Sequence, residues 1–132
     1  MPADDEPGRP PILVVDDHEA IRALYARAFQ RAGYDVLQAS GPSEAFRILA
    51  DTTVLALLID NSMPGMSGIE VIERVRAEEG TATLPIVLVT GSEEPSDRAR
   101  GMAAGASDYV PKTARLRDLV DRVGEIIEAH GN

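Results

Sequence analysis

Four apolar runs in this chain each end in residues that can do polar chemistry. Ile12-Leu13-Val14-Val15 runs into Asp16-Asp17, Val54 to Ile59 into Asp60, and Pro85 to Val89 into Thr90-Gly91. Lys112 stands just past the shorter run that ends at Val110. Three carboxylates held close repel one another and raise each other's pKa values. A hard divalent cation relieves that repulsion. Magnesium suits such a set, because it takes oxygen ligands, binds one or two carboxylates, keeps waters and accepts phosphate oxygens. A carboxylate beside it can then act as a nucleophile toward phosphorus. Asp60 is the best candidate. It leaves a run that is apolar at every position, the pattern of a central strand covered on both faces and therefore rigid. Lys112 offers the transferring phosphoryl group a charge-assisted hydrogen bond and Thr90 a neutral one. Gly91 leaves room beside them. The chemistry is phosphoryl transfer, in which positioning and electrostatics do most of the work.

Singly, each residue has an ordinary structural use. Asp16 or Asp17 would cap a helix, Asp60 would enter the turn at Met63-Pro64-Gly65, Thr90 would close a strand, and Lys112 would be a solvated loop lysine. Together they lie at the ends of four strands on one edge, which capping needs alone do not explain. In open parallel sheets that carboxyl edge is where ligands bind.

The elements that must position them follow from the periodicity. After the first strand, Ala20, Ile21, Leu24, Tyr25, Ala28 and Phe29 recur at helical spacing, and Gly33 stops the helix. Tyr34 to Ala39 is a second strand, mixed enough to lie near an edge. Gly41-Pro42 opens a helix carrying Ala45, Ile48 and Leu49. Ser67-Gly68-Ile69-Glu70 has the form of a capping box, opening a helix with Ile69, Ile72 and Val75. Pro95 to Ala104 is a short helix, weakened by Gly101 and ended by Gly105, and Ser107 to Val110 is a short fifth strand. Leu116, Leu119, Val120, Val123, Ile126 and Ile127 form the stripe of the last helix. Five strands alternating with five helices imply right-handed crossovers and a doubly wound α/β sandwich with a parallel sheet.

With 132 residues, 44% hydrophobic and 27% charged, the chain has the composition of one globular domain. Residues 1–10 hold three acids and three prolines and read as a disordered tail, leaving residues 11–132 as the domain. That tail lacks the basic start and apolar stretch of a signal peptide. The sequence contains neither a cysteine nor an eighteen-residue apolar run. A cytoplasmic protein is expected. The net charge of −9 argues against nucleic acid or an anionic membrane as direct partner.

The chain resembles the receiver domain of bacterial two-component response regulators. The resemblance lies in Ile12 to Asp17, Leu58 to Gly68, Ile86 to Gly91 and Gly101 to Lys112, and it spans about residues 11–129. It implies a flavodoxin-like fold with strand order 2-1-3-4-5. It implies that Asp60 is the phosphoacceptor and that Asp17 holds Mg2+ directly, Asp16 through water, with Asp60 and the backbone carbonyl of Ser62 completing the protein ligands. Thr90 would turn inward on phosphorylation, Tyr109 would move from exposed to buried, and Lys112 would pair with the phosphoryl group. Ser62 and Ser92 occupy positions that tune the lifetime of the phosphorylated state in the family. One departure stands out: Thr113 follows Lys112 where the family usually has proline, and Pro111 precedes it. Proline restricts the residue before it and permits a cis bond, so the resting position of Lys112 is open on sequence.

Implied partners are a sensor histidine kinase or a histidine phosphotransfer protein, and a downstream protein bound by the fourth helix, fifth strand and fifth helix. Arg98, Arg100, Tyr109, Arg115 and Arg117 lie in or near those segments. The bistable element expected is the stretch from Thr90 to Tyr109. The chain would be a stand-alone receiver or the receiver part of a longer transcriptional regulator. Competing readings are a phosphorylation-independent adaptor, which would normally have lost acidic, threonine or lysine positions, and a magnesium-dependent phosphatase with an aspartate nucleophile. A flavin-binding domain would need a phosphate cradle where this chain is acidic.

Overall fold

In the computed structural model, which describes residues 9–91 and 94–131, the alternation becomes five βα units. They are β1 (Ile12–Val15), α1 (Glu19–Arg31), β2 (Val36–Ala39), α2 (Pro42–Asp51), β3 (Ala56–Asp60), α3 (Gly68–Ala77), β4 (Ile86–Thr90), α4 (Pro95–Ala104), β5 (Asp108–Pro111) and α5 (Leu116–Gly131). All strand pairs are parallel, in the order β2-β1-β3-β4-β5. Every residue of β1, β3 and β4 is buried, as continuously apolar strands covered on both faces require. β2 is an edge, and its mixed composition matches its partial exposure.

Alternation along each strand splits the core into two layers. Leu13, Val15, Leu57, Ile59, Ile86 and Leu88 face the layer that also holds Ile72 and Val75 of α3. Ile12, Val14, Leu58, Val87 and Val89 face Tyr25 and Phe29 of α1 and Leu119 and Val123 of α5.

The helix signals act as their chemistry demands. Ser67 Oγ accepts from Glu70 N at 3.2 Å and Glu70 Oε1 accepts from Ser67 N at 3.0 Å, so the capping box closes. Gly105 ends α4 at φ +117°, a left-handed position that glycine occupies without a Cβ penalty.

Strand boundaries differ from the periodicity by one or two residues, for a physical reason. A ladder extends as far as its neighbour pairs, and here pairing takes in Asp60, Thr90 and Pro111 themselves. Asp60 and Thr90 are thus the last residues of their strands, whereas Asp16 and Lys112 come directly after β1 and β5. Tyr34 leaves β2 because its N–H donates to Phe29 O and its ring packs edge-on to Phe29. Ser107 leaves β5 because its Oγ accepts from Ile86 N at 3.0 Å. A 3-10 turn at Glu79–Thr81 has no sequence signature and is held by Thr81 Oγ donating to Val75 O at 2.6 Å. Of the expected tail, residues 1–8 lie outside the described residues, and the Arg9 guanidinium sits over the Tyr34 ring.

Candidate functional site

Register explains how distant residues meet. β1 pairs with β3 so that Val15 lies beside Ile59, and the next residues, Asp16 just past β1 and Asp60 at the end of β3, follow side by side. Asp60 is level with Val89, which puts Thr90 one step on, and Thr90 is level with Pro111. Lys112 N donates to Thr90 O at 2.7 Å, which carries the β5 pairing one residue past the strand. Asp16, Asp17, Asp60, Thr90 and Lys112 therefore share the carboxyl edge of the sheet.

The geometry there is tight. Asp16, Asp17 and Asp60 each bring a carboxylate oxygen within 4.8 Å of the others. Asp16 is 1% exposed, Asp60 3% and Thr90 2%, whereas Asp17 is exposed. Lys112 Nζ lies 3.0 Å from Asp60 Oδ1, and Ser62 N donates to the same oxygen at 3.3 Å. Asp16 Oδ1 accepts from His18 N at 2.8 Å, but its Oδ2 is buried with no hydrogen-bond partner among the described residues.

Electrostatics follow from that packing. Burial pushes the Asp16 carboxyl above the usual carboxylate value; the His18 N–H opposes this and the Asp60 charge adds to it. Burial alone would lower Lys112, but the hydrogen bond to Asp60 and the charges of Asp60 and Asp16 outweigh it, so its pKa is raised. A buried, unpartnered carboxylate oxygen beside two other carboxylates is the situation a hard cation resolves. The all-oxygen donor set fits magnesium and does not suit soft metals.

The structure brings Asp16, Asp17, Asp60, Thr90 and Lys112 together at one edge. Ser62 follows Asp60 at the rim; Ser92 lies outside the described residues. The open question over Lys112 has a geometric answer. Every described peptide bond is trans, Pro111 is the last residue of the edge strand β5, and Lys112 reaches Asp60 across β4 without a following proline. Tyr109 is 4% exposed, so this structure has it in the inward position, with the Arg98 guanidinium 5.9 Å from its ring centroid. Arg98, Arg100, Arg115 and Arg117 are exposed, and Arg100 pairs with Asp97 at 3.5 Å.

Four residues at the site carry roles that the sequence reading missed. His18, not an aspartate, caps α1, with Nδ1 accepting from Ile21 N at 3.4 Å. Arg22 Nη1 donates to Asp16 O at 2.9 Å, and Arg22 Nε to Gln38 Oε1 at 3.2 Å. Asn61 Oδ1 accepts from Ile69 N at 3.1 Å, tying α3 to the Asp60 loop. Tyr25 is buried on α1, and its phenol pKa is raised first by burial; Lys112 opposes this, while the carboxylates of Asp16 and Asp60 add to it. The available signal was spacing: Arg22 lies one helical turn past His18 and so faces back toward the edge.

An acidic cluster with Asp16 and Asp60 buried and Asp17 exposed, at the topological switch of a 2-1-3-4-5 sheet and with a lysine on Asp60, is the arrangement that the resemblance to receiver domains implies. Comparison with known proteins agrees: residues 12–124 match the response regulator receiver domain, and the chain belongs to that family. It is 35% identical over 120 residues to the phosphate regulon transcriptional regulatory protein PhoB of Pseudomonas aeruginosa, covering 91% of this chain and 52% of that protein. It is 32% identical to the transcriptional regulatory protein SrrA of Staphylococcus aureus, covering 88% of this chain and 47% of that protein. The chain thus spans about half the length of the curated relatives it matches. Among solved structures, the chemotaxis response regulator CheY4 of Vibrio cholerae superposes with a TM-score of 0.84 at 27% identity, over 89% of this chain and 98% of that one. Among the described residues no helix is long and apolar enough to cross a membrane.

Proposed function

We propose that this chain is a phosphorylation-operated signalling switch in which Asp60 accepts a phosphoryl group from a histidine kinase or a histidine phosphotransfer protein. The observation that carries the reading is the Lys112 ammonium 3.0 Å from Asp60 Oδ1, beside the buried Asp16 whose Oδ2 has no hydrogen-bond partner among the described residues. Asp16, Asp17, Asp60 and the Ser62 carbonyl would hold Mg2+, which supplies charge neutralisation for the phosphoryl oxygens.

The chain's own residues account for the rest. The Asp60 carboxylate attacks phosphorus; an oxygen–phosphorus bond forms as the bond from phosphorus to the donor's histidine nitrogen breaks. Lys112 and Ser62 N both engage Oδ1, which leaves the other carboxylate oxygen for attack. As the phosphoryl group arrives, the Lys112 ammonium exchanges a carboxylate for a phosphoryl oxygen, and the Thr90 hydroxyl donates to another. Turnover is confined to the chain's own phosphorylation and dephosphorylation. Tyr109 and α4 then report the change on the α4–β5–α5 face, where a downstream protein binds. The site would work in the cytoplasm, where such phosphodonors act.

A second reading concerns scale. Two relatives of about twice this length are transcriptional regulatory proteins by name, which favours a receiver that works as one part of a longer regulator.

The test is intact mass after incubation with Mg2+ and acetyl phosphate. The wild type should gain one phosphoryl group and Asp60→Asn none. Equal behaviour of the two removes Asp60 as acceptor, and catalytic release of phosphate from general esters would favour a phosphatase.

A further inference from the structure

Two glycines on different helices are closed against one leucine. A methyl built on Gly68, the first residue of α3, would lie 2.7 Å from the Asp60 carbonyl oxygen, 2.9 Å from Asn61 Cα and 2.9 Å from Leu88 Cδ1. A methyl built on Gly101, within α4, would lie 2.9 Å from Leu88 Cδ2 and 3.2 Å from Tyr109 Cδ2. Neither glycine has a positive φ, so space rather than backbone conformation demands it.

Leu88 is fully buried in the middle of β4, level with Ile59 on β3 and with Tyr109 on β5. One of its methyls seats against the start of α3, the other against α4 beside the Tyr109 ring. The start of α3 is itself bound to the phosphoacceptor loop: Gly68 N donates to Asn61 O and Ile69 N to Asn61 Oδ1, each at 3.1 Å. An unbroken series of close contacts therefore runs from the Asp60 backbone through Gly68, Leu88 and Gly101 to Tyr109. Interiors at this density pass a displacement on instead of absorbing it, and they settle into discrete arrangements.

We propose that Leu88 is a positioning residue of the switch, carrying movement of the Asp60–Asn61 segment to α4 and Tyr109 by contact with Gly68 and Gly101. The proposal rests on the reading that Asp60 is phosphorylated. It adds an apolar route beside any hydrogen-bonded route through Thr90.

The complementary volumes supply the test. Leu88→Val draws both methyls back from the glycines, Gly101→Ala adds a methyl at the Leu88 contact, and the double variant restores the volume. Each protein is labelled with 3-fluorotyrosine, and the Tyr109 fluorine resonance is assigned with Tyr109→Phe. Spectra are taken with Mg2+, before and during excess acetyl phosphate, with intact mass reporting phosphorylation and urea unfolding reporting stability.

Leu88→Val should be phosphorylated like the wild type, yet its shifted Tyr109 population should change by about two-fold or more. Gly101→Ala should displace the Tyr109 resonance before any phosphodonor is added. The double variant should return toward wild type in both respects, a non-additive result. Wild-type Tyr109 responses in both single variants overturn the proposal, as does a double variant equal to the sum of the singles. A wild type that gains no phosphoryl group overturns the functional reading as well, so the two failures are distinct.

Discussion

Asp16→Asn is the substitution whose effect the site geometry determines most sharply. Asp16 is 1% exposed, its Oδ2 has no hydrogen-bond partner among the described residues, and carboxylate oxygens of Asp17 and Asp60 lie within 4.8 Å. Its carboxyl is held above the usual range, first by burial. A carboxyl with a raised folded pKa binds more protons folded than unfolded, so stability is present below the unfolded value and is lost as pH rises through the folded one. At neutral pH without metal, Asp16 therefore destabilises the fold. Asparagine keeps an oxygen for the His18 N–H and replaces the repelling oxygen with a donor. Relieving a buried, unsatisfied charged acceptor should stabilise the metal-free protein by about 1–2 kcal/mol. For a domain of this size that corresponds to roughly 4–7 °C in melting temperature. Magnesium should raise the melting temperature of the wild type, because it binds only the folded site, and should do so much less in the variant. The assay is thermal unfolding with EDTA or with excess Mg2+, repeated from pH 4 to 7. The metal-free wild type should lose more stability than the variant as pH rises. A variant less stable than wild type in EDTA, with an undiminished response to Mg2+, would refute the reasoning.

Three further outcomes follow from other contacts. Lys112→Ala should remove a loss of stability that the wild type shows only above about pH 10, since a raised lysine pKa stabilises below the unfolded value and ceases to above the folded one; pH-dependent urea unfolding reads this. Gly68→Ala forces a methyl to 2.7 Å from the Asp60 carbonyl oxygen, and such overpacking should cost about 1–3 kcal/mol in urea unfolding. Arg76 is half-buried and donates to Gly105 O at 2.9 Å and Thr81 O at 3.2 Å, so Arg76→Ala should cost about 1–3 kcal/mol and speed amide exchange at the end of α4.

What was legible in the sequence was what local chemistry dictates. The unbroken apolar run from Val54 to Ile59 marked the central strand, and with it Asp60. Ser67 and Glu70 marked the start of α3, and Gly105 the end of α4. What was not legible was contact between distant segments. Arg76 reaches a carbonyl 29 residues away, and nothing in its neighbourhood signals that. Lys112 could be named as the pairing residue, but its reach to Asp60 depends on β5 being the edge strand next to β4. The capping role of His18 was obscured by the two aspartates before it. The sequence left Asp16 a choice between helix cap and metal site. In the fold His18 rather than Asp16 caps α1, while Asp16 Oδ1 accepts from His18 N and its Oδ2 is buried with no hydrogen-bond partner among the described residues.

The central claim is that Asp60 alone carries the phosphoryl group. Borohydride converts an aspartyl phosphate to homoserine, and tandem mass spectrometry of the digested protein then reports the position. After treatment with Mg2+ and acetyl phosphate, the account predicts homoserine at residue 60 and at no other aspartate. Homoserine at position 16 or 17, or an unmodified residue 60 in a protein that has gained phosphate, would contradict it.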